Sequence, residues 1–323
     1  MYKITAILFI VFVLWFLFFE VAQKGLQEYH IHQTERLTEI LQNDTYHDCL
    51  FIGSSRTHDH INPQIIDSIL HLNSYNAGID AANMLEFKTL LAAYLQHHPA
   101  PKYLVLGIEP LCFNVQPRFS NTIQYYPFLN NKTIRQALQA QNSLTLLYYY
   151  LPFCQTIQYN DRTRAEIIKG WLHKTELTTN QWQYKGYLSN GYDSLQIGTL
   201  PPLCTEKIEL NPSLGVLKNI IDTCKTRQIQ LIFAYHPTYK AYFRQRIANH
   251  AQILQSIDSI AKQHQIRYLV HDTLKTFQQA RLFFDYAHLN TNGATIYSTY
   301  LANELKSIFN QKKDSYTKGT AIF

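Results

Sequence analysis

Residues 49–60 read CLFIGSSRTHDH: an apolar run that stops abruptly at Gly53, Ser54 and Ser55, with Arg56 directly behind. Four apolar residues without alternation fit a strand buried on both faces, as in a parallel sheet. The same signature recurs outward along the chain. NSYNAG (73–78), KYLVLGIEP (102–110), IQLIFAYHP (229–237) and IRYLVHD (266–272) each read as a short apolar strand closed by Gly, Pro or a polar residue. Helical periods lie between them. Asn62 and Pro63 open a helix through Leu70, and 81–98 (AANMLEFKTLLAAYLQHH) is amphipathic. Asn211 and Pro212 open a helix to about Gln228, a further helix spans 240–264, and a last one spans 291–309. Strand and helix in alternation predict an α/β, three-layer sandwich around a five-stranded, mostly parallel sheet of flavodoxin-like type.

The interruptions of this pattern set the domain plan. Residues 4–19, ITAILFIVFVLWFLFF, are apolar throughout except Thr5, and with Tyr2, Val21 and Ala22 they approach the ~20 residues of a spanning helix. Glu20 stands where a signal-peptidase site needs a small residue, so 1–22 reads as an uncleaved transmembrane anchor. Residues 23–46, polar with Leu and Ile at helical intervals, predict a short helix or stalk, a linker off the membrane, and 47–309 the α/β domain. Within it, 111–210 is rich in Tyr, Asn and Gln without a steady period, which predicts a large cap insertion. Residues 310–323 read as a loose polar tail. The 323-residue chain has 46% hydrophobic content and a net charge of +6 with only 16% charged residues. It holds no run of Lys and Arg, which argues against nucleic acid as a partner. Its five cysteines form no C-x-x-C pair: Cys49 and Cys224 suit a core, and an odd count leaves room for one disulfide, such as Cys154–Cys204. No metal site or cofactor is expected.

In open parallel sheets, sites lie beyond the carboxyl ends of the strands. Here those ends carry Ser54 and Ser55, Gly78, residues 107–110, His236 and Asp272. A serine at such an end, flanked by backbone N–H groups, suits an acyl-transfer nucleophile once a base reaches it. The stretch FFDYAHLNTNG (283–293) supplies Asp285 and His288, spaced so that the carboxylate can hold one imidazole nitrogen and leave the other outward.

With these residues the chain resembles the SGNH (GDSL-type) hydrolase superfamily. The family's first block appears as Gly53, Ser54, Ser55, its second as YNAGID with Gly78, and its last, Asp-x-x-His, as Asp285 to His288. The third block departs: Glu109 stands where the family has an asparagine donor. The Gly-Ser-Ser variant and the anchor resemble the membrane-anchored branch around the D-alanylation protein DltD and accessory proteins of polysaccharide O-acylation. The resemblance implies Ser55 as nucleophile, His288 as base, Asp285 as its orienter, and the N–H groups of Ser55 and Gly78 as oxyanion donors. It further implies a single-pass protein of the cytoplasmic membrane with its domain on the outer side. The activity implied is that of a serine esterase or O-acyltransferase on acyl esters of a cell-envelope glycan or polymer. The rival is a non-catalytic accessory protein that holds an acyl carrier or polysaccharide for a membrane-bound O-acyltransferase.

Plainer roles stand beside these. Ser55 can be a turn or N-cap serine, Asp285 and His288 can cap the last helix, and Gly78 can simply end a strand. His58, Asp59 and His60 suggest a metal but lack an identifiable third ligand, which favours a solvated loop. His236 can touch substrate or pack behind the site. Arg56 can orient loops or bind an anion.

Overall fold

The computed structural model describes residues 2–113, 118–172, 183–198 and 207–319. Helix α1 (Tyr2–Leu41) leads to strand β1 (Cys49–Ile52), the short α2 (Ser55–His60) and α3 (Pro63–Leu70). Strand β2 (Ser74–Asn76), α4 (Met84–His97) and β3 (Tyr103–Gly107) follow. Then come α5 (Lys132–Gln139), α6 (Thr145–Tyr150), α7 (Asp161–Trp171) and the hairpin β4 (Gln183–Tyr184) and β5 (Tyr187–Leu188). The chain closes with α8 (Asn211–Thr226), β6 (Gln230–Tyr235), α9 (Tyr242–Arg246), α10 (His250–Gln263), β7 (Arg267–Val270) and α11 (Thr291–Gly319).

The five apolar strands form one sheet in the order β2-β1-β3-β6-β7, every pair parallel. Side chains of successive strand residues leave by opposite faces, and two cores divide accordingly. Leu50, Ile52, Leu104, Leu106 and Phe233 join one core with residues of α1, α4, α8 and α10. Phe51, Val105, Ile232 and Ala234 join the other with α3 and α11. The central strands are apolar on both sides because both faces are covered.

Several boundaries differ from the sequence reading. The stalk is no separate element: α1 continues unbroken to Leu41, and its apolar span covers Tyr2–Leu26. The single helix expected over 240–264 is broken into α9 and α10. Lys240 and Ala241 sit in the left-handed region (φ 48° and 52°). Asn249, between the two helices, exchanges hydrogen bonds with the backbone of Ile208 at 3.0 and 2.9 Å. The polar end is also helical, since α11 runs to Gly319. The region 111–210 lacks a steady period because its described helices are short; α5 and α7 open on the Asn caps Asn131 and Asn160. Its described parts go to two places. Residues 118–172 pack on α4 and α1, whereas β4, β5 and the turn after them lie against α2, α3 and the loop before α11. Cys204 lies outside the described residues, and Cys49, Cys112, Cys154 and Cys224 are free thiols.

Candidate active site

The abrupt end of β1 is a helix start. Ser54 is the N-cap of α2, accepting the N–H of Arg56 at 3.4 Å, and Ser55 is the first helical residue. Caps of this type satisfy donors that a helix start leaves open. The Ser55 hydroxyl therefore stands half-buried at the carboxyl edge of the sheet.

The second stretch is folded to meet it. Asp285 Oδ1 accepts the N–H groups of Ala287 at 2.7 Å and His288 at 2.8 Å, curling the loop so that the His288 ring returns to its own carboxylate. His288 Nδ1 lies 2.9 and 3.0 Å from the two Asp285 oxygens, and its Nε2 lies 2.9 Å from Ser55 Oγ. The carboxylate accepts a hydrogen bond from Nδ1–H, which leaves Nε2 to accept from the serine. Burial works against a charged His288, but the hydrogen bond to Asp285 and the charges of Asp59 and Asp285 outweigh it and raise its pKa. Burial pushes Asp285 the other way. The hydrogen bond and charge of His288, with the two N–H groups, overcome it and hold Asp285 below its usual value.

His60 ties the two stretches together, and the sequence reading did not assign it this role. Its Nε2 accepts the N–H of Leu289 at 3.0 Å, so α2 clamps the chain one residue past His288. Burial, with His236 and His288 beside it, keeps His60 neutral, as an acceptor nitrogen requires. The only signal available was a histidine in the helix that Ser55 opens. His58 and Asp59 share that helix and are buried, so this stretch is not a solvated loop. His58 Nδ1 lies 3.0 Å from both Asp59 and Asp80. These three side chains bring potential ligand atoms within 4.8 Å of one another. His58 Nδ1 hydrogen-bonds to Asp80 Oδ1, and Asp59 Oδ2 accepts from Asn190 at 3.0 Å.

A cavity of about 390 Å³ opens over Ser55, lined among others by Ser54, Arg56, Glu109, Phe243 and His288. Glu109 is almost fully buried in its wall but not alone: the Ser54 hydroxyl donates to Oε1, and Arg56 Nη2 pairs with Oε2. The pair is neutral overall, which removes the objection that a bare carboxylate would repel a nearby oxyanion. Arg56 lies 4.2 Å over the Phe243 ring, and its Nε and Nη1 have no hydrogen-bond partner despite their burial. It braces Glu109 and places a positive charge in the cavity wall.

Two residues expected at the site stand elsewhere. Gly78 does not line the cavity, and its N–H donates to Asn76 Oδ1 at 3.0 Å. A Cβ there would come within 2.4 Å of the His58 nitrogen, so the glycine lets β2's exit pass against α2. Its role as an oxyanion donor meets the physical objection that this hydrogen is already directed to Asn76. His236 is sealed below the site, bonded to Thr57 Oγ1 and the Tyr297 hydroxyl, both at 2.9 Å. Asp272, at the end of β7, grips Arg244 through two bonds of 2.6 and 2.9 Å, beside cavity-lining Phe243.

No protein-family model and no curated protein matches this chain.

Proposed function

We propose that the protein is a membrane-anchored acyl-ester enzyme of SGNH type, working through Ser55, His288 and Asp285. The observation that carries the reading is the hydrogen-bonded row itself. Two stretches separated by more than two-thirds of the chain bring a hydroxyl, an imidazole and a carboxylate into one line that ends in a cavity. In this reading His288 takes the proton of Ser55 as its oxygen attacks the ester carbonyl, and Asp285 stabilises the imidazolium. The alkoxide leaves with the proton that His288 returns, and the acyl group stays on Ser55. Water as the next acceptor gives an esterase; a hydroxyl of a cell-envelope glycan or polymer gives an O-acyltransferase.

The oxyanion is held by the N–H of Ser55, with the positive charge of Arg56 in the cavity wall compensating for the absent asparagine donor. Gly78 is left out of this role. The anchor α1 holds the domain on the outer side of the cytoplasmic membrane, and the segment 111–210, in part, forms the surround that selects the acceptor. A specific observation favours the rival reading of an accessory protein serving a membrane-bound O-acyltransferase: Glu109 occupies the wall where the family's donor stands. A fluorophosphonate probe decides between them. Rapid labelling at Ser55, abolished by His288→Ala, supports the enzyme; an unlabelled, folded protein leaves the accessory role.

A further inference from the structure

Residues 136–160 contain no Asp, Glu, Lys or Arg, in a chain where 16% of residues are charged. Leu138, Tyr148, Phe153 and Cys154 are buried in the core, but several other large apolar side chains here are not. Leu146, Leu147 and Leu151 are exposed, as are Tyr150 at 73% and Ile157 at 58%. In and just after α7, Ile168 and Leu172 are exposed as well, at 60% and 58%. Isolated exposed apolar residues are ordinary, but a contiguous uncharged group of this size marks a contact surface.

Its position beside α1 says what the contact is. Phe153 packs against Phe12 and Trp15 with ring centres 5.1 and 5.0 Å away, and the Trp15 indole donates to Thr156 Oγ1 at 2.8 Å. Further along, Tyr159 receives a bond from Gln23, Trp171 donates to the Val21 carbonyl at 3.0 Å, and Lys24 lies over the Trp171 ring. Glu20 and Lys24 mark where the apolar span gives way to charge, and a tryptophan at that level is the usual residue of a membrane interface. At 1.5 Å per residue, Phe12 and Trp15 lie roughly 9–14 Å deeper than Val21. Any residue touching them shares that depth, inside a hydrocarbon core ~30 Å thick.

The polar groups of the segment are arranged to tolerate this. Thr145 and Thr156 donate to backbone carbonyls, and Gln155 and Gln158 donate to the carbonyl and hydroxyl of Tyr148. Internal satisfaction of this kind is what hydrocarbon demands and water does not.

We propose that residues 144–158, with Ile168 and Leu172, are a second membrane contact: a collar beside α1 whose exposed side chains lie among lipid acyl chains. The occupant is the leaflet that α1 enters on the domain side, and the inference rests on α1 being a membrane span. The collar also turns the sheet toward the bilayer. Helix α5 starts near the end of α4, where Gln96 meets Thr133, and finishes near its first turn, where Gln141 accepts the Phe119 N–H beside Glu86-bound Ser120. The first turn of α4 follows β2 and so lies at the carboxyl edge. The collar, continuing past α5, therefore sits on the same edge as Ser55.

The test uses the full chain in vesicles of phosphatidylglycerol and phosphatidylethanolamine. A benzophenone side chain is placed in turn at Tyr150, Ile157, Leu8 within the span, and Tyr46 at the amino edge of the sheet. After illumination, adducts with the mass of a phospholipid are expected at Leu8, Tyr150 and Ile157, and none at Tyr46. Adducts at Leu8 without Tyr150 and Ile157 would overturn the collar while leaving the anchor. Adducts of Tyr150 and Ile157 with another copy of the chain in place of lipid, or equal adducts at Tyr46, would overturn it too. No adduct at Leu8 removes the anchor, and the collar with it.

Discussion

Two hydroxyl–imidazole pairs stand two residues apart on α2. Ser55 meets His288 at 2.9 Å, and Thr57 meets His236 at 2.9 Å. By distance alone they are the same object. They differ in what stands behind the ring and in front of the hydroxyl. His288 is backed by Asp285, which favours the charged ring, and Ser55 opens on the cavity. His236 is backed by the Tyr297 hydroxyl, which hydrogen-bonds in turn to His271, and His271 to Glu304. The protons of that chain can run one way: Thr57 to His236 Nε2, His236 Nδ1 to Tyr297, Tyr297 to His271 Nδ1, His271 Nε2 to Glu304. Burial first, and then the charge of Arg56, hold His236 well below the ordinary histidine range. A hydroxyl beside an imidazole is therefore a structural bond in one place and, in the proposed reading, a poised proton transfer in the other. The carboxylate and the opening make the difference.

The largest expected effect breaks the pairs one at a time. Ser55→Ala and His288→Ala should each lower turnover of an aryl acetate by about 10³-fold or more, and the double variant should lose little further, because the two act as a unit. Thr57→Val should change turnover only a few-fold at most but lower the melting temperature, since His236 loses its buried donor. Equal losses from Ser55→Ala and Thr57→Val in turnover would sink the distinction.

Asp285→Asn sharpens the same comparison through pH. His288 must be neutral to act as a base, so the rate should rise with pH, with a midpoint above the ordinary histidine value. Replacing Asp285 removes the bond and charge that raise the ring, leaving burial to lower it. The midpoint should therefore move to lower pH, while the plateau falls by a factor similar to or smaller than that of His288→Ala. A midpoint unmoved by Asp285→Asn would mean that another group sets it.

Much of this was legible in the sequence, for identifiable reasons. The strands were readable because both faces of the sheet are covered, so Leu50, Phe51, Val105 and Phe233 all had to be apolar. Ser55, Asp285 and His288 were readable because the strand end and the short Asp-to-His spacing are local features. The role of His60 was not, since it depends on a partner, Leu289, that no spacing connects to α2. The same holds for Arg56: only three dimensions bring Glu109 and Ser54 to it. Gly78 was misleading for the opposite reason. A glycine after a strand suits an oxyanion donor and a tight passage equally, and here the N–H goes to Asn76.

Tyr297→Phe tests the sealed half. Without the hydroxyl, His236 Nδ1 and His271 Nδ1 both lose their partner in a region where Tyr297 is fully buried. Each unsatisfied group costs ~1–3 kcal/mol, so a clear fall in denaturation midpoint is expected, with fluorophosphonate labelling of Ser55 retained in the folded protein. Loss of labelling at full stability would show that the sealed chain belongs to the chemistry.

The smallest effect should come from Ser54→Ala, the neighbour of the proposed nucleophile. Ser54 caps α2 through the Arg56 N–H and donates to Glu109, and neither bond reaches His288. Removing an N-cap hydroxyl costs about 1 kcal/mol. The Arg56–Glu109 pair keeps its charge partner, so the carboxylate is not abandoned. Stability should drop slightly, measured by chemical denaturation, while labelling of Ser55 proceeds near the parent rate. If Ser54→Ala instead abolishes labelling as Ser55→Ala does, the cap and the nucleophile are not separable. The contrast between the open and sealed pairs would then have to include the wall formed by Glu109.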